Sequence, residues 1–493
     1  MGTYVLGIDI GTSACKVALF SNAGEVIAQA TNPYPVLYPQ AGWAEQNPAD
    51  WWEAVSLAIV EILKTSKIDP KEIVGIGVDG QSWSAIALDK EGNVLYNTPI
   101  WTDTRAQSIC DEMLTQVSSD ELFALCGNAL RPNYTLPKVL WYKKERPEVY
   151  EKADIILQSN GYIVHCLTGK YSQDKSQGYG WQCYNMKTGT WDEDMANRLG
   201  IRISLLPPIV ECHHVVGGVT EEVAQKTGLA VGTPVVAGGL DAACGTLGAG
   251  VVKALQTQEQ GGQAGGMSLC IDEYVADERM IMGAHVVPDC WLLQGGTTGG
   301  GGALKWLQEQ VCTDLSFAEM SELATTVPAG SEGVIFLPYM AGERSPIWNP
   351  QATGVFFGLN YAKTRAHLIR AVMEGVAYSL RHNLECVKEA GAKVGVLRAM
   401  GGAANSLIWT QIKADVTGCD IDIPASDTAT TWGAAMLALV GTHNATSFES
   451  AVEASVAIVR QHTPNVENKE VYDKGYEKYL KLYQQLKPLM NEQ

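Results

Sequence analysis

Two carboxylates and a set of glycine-rich corners are the residues of this chain whose types and spacing can do chemistry. Asp9 stands two residues before the corner Gly11-Thr12-Ser13. A residue without Cβ lets backbone N–H groups approach phosphate oxygens closely, and the Thr12 and Ser13 hydroxyls add donors. Asp9 is then placed to hold Mg2+ through water beside such phosphates. Asp241, in the run Gly238-Gly239-Leu240-Asp241-Ala242, is of a type to accept a proton from an attacking hydroxyl. Phosphoryl transfer needs mainly alignment and charge neutralisation, so a positioned Asp and a metal suffice without a Cys or His nucleophile. Each feature also has a plain structural reading, as a tight Gly-Thr-Ser turn between strands and as a helix N-cap at Asp241. Their order along the chain, with further glycine corners, favours the chemical reading.

The elements that must position these residues are strand–glycine–helix units. Residues 4–20 read as a strand, a turn at Gly11-Thr12-Ser13 and a second strand, with a third over 26–31. Asn47 before Pro48 is a helix-start signal, and Trp52, Val55, Ile59, Ile62 and Leu63 follow at helical spacing as a buried face. The apolar run 73–78 ends in Asp79-Gly80-Gln81, a strand opening into a loop, and 234–239 repeats the pattern ahead of Asp241. Further corners lie at 261–266, at 295–302 running into a helix, and at 401–406 between a strand over 394–400 and a helix over 407–416. Near the end, Tyr472, Tyr476, Tyr479, Tyr483 and Leu486 form a stripe whose expected role is packing. The pattern is that of an α/β protein with mirrored halves, cut near 248–255 into domains 1–248 and 249–493, with a ligand cleft between them.

At 493 residues the chain is too long for one core, which agrees with two domains. Hydrophobic residues make up 46% and charged residues 18%, and the net charge of −18 argues against nucleic acid or an anionic membrane surface as partner. No run approaches the roughly 20 apolar residues that span a bilayer. The N-terminus enters a strand without a signal core, and the 12 cysteines are scattered with no CxxC pair, so a reduced, cytoplasmic location is expected. Cys212-His213-His214, the one Cys/His cluster, reads as a surface loop. A homodimer is expected only on the frequency of dimers among soluble enzymes.

Longer motifs resemble a known family. Residues 7–13 (GIDIGTS) look like the first phosphate loop of the FGGY carbohydrate kinases, relatives of actin and hexokinase. Trp101-Thr102-Asp103-Thr104-Arg105 resembles the family's W-x-D-x-R element, and 135–141 (TLPKVLW) is similar to another signature. The most specific stretch is 354–374 (GVFFGLNYAKTRAHLIRAVME), preceded by 338–346 (PYMAGERSP). Trp43-Ala44-Glu45-Gln46 and the GERSP element bring the chain nearest to the xylulokinase branch.

The resemblance implies two actin-like (ribonuclease H-like) α/β domains flanking an ATP and substrate cleft, and ATP-dependent phosphorylation of a hydroxyl on a small sugar, ketose or polyol. It implies Asp241 as general base, and Asp9 as catalytic and metal-associated carboxylate. Nucleotide contacts are implied at Gly11, Thr12, Ser13, Lys16, Gly262, Gln263, Gly265, Gly300, Gly301, Lys305, Gly401, Gly402, Ala403 and Ser406. Candidate sugar contacts are Gln81, Ser82, Trp83, Trp101, Asp103 and Arg105. Two positions depart from the pattern. Where xylulokinases carry Gln-Met-His-Gly, this chain has Gln81-Ser82-Trp83-Ser84, an indole in place of an imidazole. Where the family has Gly-Thr-Ser/Thr-Gly, it has Gly262-Gln263-Ala264-Gly265, without the hydroxyl. The second departure motivates an alternative, a catalytically weak kinase fold binding ATP and a sugar in a regulatory role. A dinucleotide oxidoreductase is set aside because no G-x-G-x-x-G follows the first strand.

Overall fold

The strand β1 (Tyr4–Ile10) is apolar on both faces, as a strand covered on both sides must be. It turns back through a tight hairpin into β2 (Ala14–Ser21), with Ile10 opposite Cys15, and β2 pairs with β3 (Val26–Pro33). On its other side β1 runs parallel to β4 (Ile73–Gly80). The sheet continues from β4 to the strands Pro234–Val236 and Val215–Gly218, and the short strand Gly239–Leu240 also pairs with β4. The computed structural model describes residues 3–425 and 428–492.

The helix Pro48–Ser66 starts where the sequence places it: the Asn47 side chain accepts from the Ala49 amide at 3.1 Å and Pro48 opens the first turn. Its buried face differs from the predicted one. Trp51, Val55, Ala58, Ile59 and Ile62 are fully buried, whereas Trp52 and Leu63 are half-buried at its edge. Adjacent tryptophans lie about 100° apart on a helix, so only one can point to the centre of the face.

A second helix reaches this sheet from far along the chain. Ala429–Gly441 lies so close on β1 and β4 that a Cβ on Gly7 would be 2.0 Å from the Thr431 carbonyl oxygen. One on Gly77 would be 1.8 Å from that of Ala434. The chain divides into two compact units accordingly. The first comprises Met1–Val252, Met282–Trp291 and Thr428–Val456; the second comprises Lys253–Ile281, Leu292–Asp427 and Ala457–Gln493. The units are discontinuous, unlike the single cut after 248 drawn from sequence, because a glycine-lined helix seat is invisible to local pattern.

The second unit repeats the hairpin plan. Its strand β5 (Thr257–Gly261) pairs antiparallel with β6 (Gly265–Ile271) and parallel with β7 (Leu397–Met400). Beyond β7 come Ile421–Pro424 and Ile458–His462. The tyrosine stripe of the helix Lys469–Met490 is core, as expected: Tyr472, Tyr476, Tyr479 and Tyr483 are buried, and Tyr339 donates to the Tyr479 hydroxyl at 2.7 Å. Beside it Glu374, also buried, accepts from Arg370, Tyr472, Ser331 and the Gly330 amide. All 12 cysteines are free, and among the described residues no helix is long and apolar enough to cross a membrane.

The close helix seat yields a stability prediction. Gly77→Ala forces the helix Ala429–Gly441 off the sheet and lowers the unfolding free energy by about 2–3 kcal/mol, read from urea melts.

Candidate active site

Register puts three carboxylates side by side. Pairing of β1 with β4 sets Asp9 opposite Asp79, and Gly239 stands opposite Asp79 on the other side, so Asp241 follows two residues later. All three lie at the carboxyl ends of adjacent parallel strands, where open α/β sheets hold their ligands. Gly238 makes this possible, since a Cβ there would lie 1.8 Å from the Val78 carbonyl oxygen. Asp241 is the first residue of the helix Asp241–Gly248 rather than its cap, which is Leu240, and its Oδ1 accepts from the Ala242 amide at 2.6 Å.

Asp79 is fully buried, and neither of its oxygens has a hydrogen-bond donor among the described residues. Its neighbour is the Asp9 carboxyl, and two carboxyl groups bond only when one carries a proton. Burial, and then the charges of Asp9 and Asp241, push Asp79 well above the usual carboxylate range. Burial also raises Asp9, opposed by its bond to Asp79 and by Lys16, its partner across the hairpin. Asp241 is pushed up from 3.8 to about 7, first by burial and then by the Asp9 charge, against the pull of the Ala242 amide. A carboxylate poised near 7 is matched to general-base work. Asp79 was visible in the sequence only as the end of a strand. Its tell was an Asp at the close of an apolar parallel strand, the same position that Asp9 holds.

The turn after β1 is fastened by its carbonyls. Tyr34 donates its hydroxyl to Gly11 O at 2.7 Å and its amide to Ser13 O at 3.1 Å, and Gln46 Nε2 donates to Thr12 O at 2.8 Å. This is the polarity an anion-binding loop requires, with carbonyls tied into the protein and Ser13 exposed. Trp101 joins the turn directly, its Nε1 donating to the Thr12 hydroxyl at 2.9 Å. Gln81 joins it through Gln46, donating to Gln46 Oε1 at 2.8 Å, while its own Oε1 is buried without a partner.

Trp83 adopts a left-handed backbone, φ 59°. Its ring meets Tyr134 at 4.7 Å and Tyr179 at 5.8 Å, both edge-on, and a Cβ on Gly180 would crowd it at 2.7 Å. Gln177 Oε1 accepts from the Trp83 amide at 3.2 Å. Gln177 and Tyr179 were missed by sequence reasoning, since the 3-10 segment Lys175–Trp181 has no periodic signal. Asp103 and Arg105 form a closed cluster. Asp103 accepts from the Ala44 amide and from Arg105, which also pairs with Glu45 at 2.9 Å and lies 3.8 Å above the Trp43 ring. The Asp103 and Arg105 side chains are shut from solvent. Lys138 is buried beside them, donating to the Trp83 and Ile100 carbonyls, and burial brings it down to about 7.

In the second unit the tip of the β5–β6 hairpin sits on the helix Gly301–Gln310. Gly262 O accepts from the Gly301 amide at 2.7 Å, and Gln263 O from the Gly302 amide at 2.9 Å. The first amides of that helix are thus spent on the hairpin, whose Gly265 pairs with Gly261 across the ladder. Gly300 is close-packed on it, with a Cβ there 2.4 Å from the Ala264 carbonyl carbon. Lys305 is exposed and makes only a loose surface pair with Glu309 at 3.8 Å. Gly401 takes φ 85°, Gly402 is open to solvent, Ala403 is buried, and Ser406 caps the helix Leu407–Thr417 through the Trp409 amide.

Oxygen-only donors fit a hard divalent cation. Asp9 is half-buried beside Asp79, and no group of three or more His, Cys, Asp or Glu placed to hold a metal ion occurs among the described residues. Mg2+ typically takes one or two carboxylates, with water and phosphate oxygens completing the shell.

Comparison with known proteins agrees with this geometry. The FGGY family of carbohydrate kinases matches through its N-terminal domain over residues 4–248 and its C-terminal domain over 272–442. A xylulose kinase of Bacillus subtilis (strain 168) is 33% identical over 491 residues, covering 99% of this chain and 98% of that one. A gluconokinase of the same organism is 30% identical over 484 residues, covering 96% and 94%. The crystal structure of xylulose kinase from Rhodospirillum rubrum superposes with a TM-score of 0.92 at 29% identity, covering 99% and 100%. Fold and site together define an α/β, two-domain, actin-like sugar kinase that draws phosphate from ATP with Mg2+. The chain belongs to the FGGY family of carbohydrate kinases.

The carboxylates set a pH dependence. With Asp241 in the role of general base, activity is expected to rise with pH along a limb centred near 7, where Asp241 loses its proton. Asp241→Asn lowers kcat about 100- to 10,000-fold, while Asp79→Asn, which supplies an N–H in place of the shared proton, keeps it within about tenfold. Because folded Asp241 holds its proton more tightly than the unfolded chain, stability falls as pH rises from the usual carboxylate range to about 7. Asp241→Asn therefore stabilises the fold above pH 7, by on the order of 2 kcal/mol in denaturant melts, and the gain fades towards pH 4.

Proposed function

We propose that the enzyme phosphorylates a neutral sugar or polyol, with a xylulose-like ketopentose as first candidate, and that Asp241 takes the proton from the attacking hydroxyl. The observation that carries the assignment is Asp241 poised near 7 beside Asp9, next to the fastened Gly11–Thr12–Ser13 turn. In this reading the turn and Lys16 receive phosphate oxygens, and Asp9 holds Mg2+, which neutralises phosphate charge. Asp79 shares a hydrogen bond with Asp9 and fixes its orientation. The adenosine end is taken by Gly401, Gly402, Ala403 and Ser406. Lys305 contributes at most long-range attraction from its exposed position.

Gln81, Ser82 and Trp83, with Gln177 and Tyr179, line the acceptor. Asp103 and Arg105 act behind them, holding the Trp101 loop. The xylulose kinase and gluconokinase relatives frame the choice of acceptor, a ketose against a sugar acid. Around Trp83 the partners are amides and aromatic rings, and the neighbouring buried cations Lys138 and Arg105 already have oxygen partners. A sugar carboxylate would need a cation of its own, so the neutral acceptor is favoured. We place the enzyme in the cytoplasm, with ATP, and as a homodimer, a state that size-exclusion chromatography with light scattering decides.

A coupled assay of ADP release against ketopentoses, polyols and gluconate tests the acceptor. Turnover with a neutral sugar and kcat/KM at least about 100-fold lower for gluconate is the expected result. A preference for gluconate overturns it.

A further inference from the structure

The two hairpins share a plan but not an electrostatic solution. Asp9 lies two residues before Gly11 on β1, and Glu259 lies two residues before Gly261 on β5. Both strands pair antiparallel with the next strand and parallel with a later one. Asp9 meets another carboxyl in its parallel partner, whereas Glu259 stands opposite Ala399. Instead Glu259 Oε1 accepts from Lys413 Nζ at 2.6 Å, with side chains only 4% and 1% exposed.

Stability alone does not account for such a pair. Burying two charges costs about what their attraction returns, and an apolar pair of similar volume would serve as well. What the pair fixes is position. Lys413 is on the helix Leu407–Thr417, directly after the 401–406 segment, and its Nζ would lie 3.2 Å from a Cβ on Gly261. At the same corner Gly401 abuts Gly261, a Cβ on Gly401 lying 2.8 Å from Gly261 O, and Ala403 Cβ closes on Gly261 from beside it. Three contacts thus converge on one glycine, and the ion pair is the directional one.

We infer that Glu259 and Lys413 are positioning residues that lock the register between the β5–β6 hairpin and the 401–406 segment, holding the corner in the shape that receives the nucleotide. The inference rests on the assignment of 401–406 to the nucleotide made above. The pair touches no reacting atom. It turns the second hairpin's carboxylate into an anchor and leaves chemistry to the first.

The test is ADP affinity by isothermal titration, with KM for the acceptor alongside, in Lys413→Met, Glu259→Gln and the double variant. Gly402→Glu is the control, because Gly402 is open and a glutamate side chain there obstructs the adenosine seat without disturbing packing. Each single variant is expected to weaken ADP about tenfold or more, the double no more than either single, with acceptor KM within about twofold. If a single variant fails to fold, the double, which buries no charge, carries the same criterion. ADP affinity unchanged in the pair variants but reduced by Gly402→Glu overturns the inference and spares the nucleotide assignment. ADP affinity unchanged in Gly402→Glu overturns the nucleotide assignment itself.

Discussion

Mutual repulsion among Asp9, Asp79 and Asp241 is the constraint from which the rest of the first unit follows. Three carboxyl groups at adjacent strand ends cannot all be charged in a buried setting. Position separates the three: Asp79 is wholly buried and pushed furthest towards its protonated form, while Asp9 and Asp241 stay within reach of water. The same two strands, β1 and β4, carry the tight seat of the helix Ala429–Gly441.

Around that centre the structure spends polar side chains on aiming loops. Tyr34, Gln46 and Trp101 fasten the Gly11–Thr12–Ser13 turn, and Gln46 passes the constraint on to Gln81. The Asp103–Arg105–Glu45 cluster, stacked on Trp43, anchors the Trp101 loop from behind. The second unit uses the same hairpin with a different balance of charge, a buried ion pair where the first has facing carboxyls.

Much of this was legible in the sequence. Glycine and proline mark local geometry, so the Gly11 turn, the Asn47–Pro48 helix start and the glycine corners could be read directly. Long motifs identified the family. What stayed hidden depends on contacts between distant segments. Asp79 gains meaning only from its register with Asp9. Trp51 and Trp52 are equivalent until the helix meets its sheet. The return of Ala429–Gly441 to the first unit is set by glycines hundreds of residues away. Gly301 was implied as a nucleotide contact, and only the folded hairpin shows its amide taken by Gly262. At Trp83 the sequence showed the indole but not its wall, because Gln177 and Tyr179 arrive from a segment without periodicity.

The central claim is that burial, and after it the charge of Asp9, lifts the Asp241 carboxyl to about 7. A carbon-13 titration of the aspartate carboxyls, comparing the intact protein with Asp9→Asn, tests it most directly. The account predicts that the Asp241 carboxyl titrates near 7 in the intact protein and moves down when the Asp9 charge is removed. An Asp241 carboxyl titrating in the usual range near 4, or one indifferent to Asp9→Asn, would contradict it.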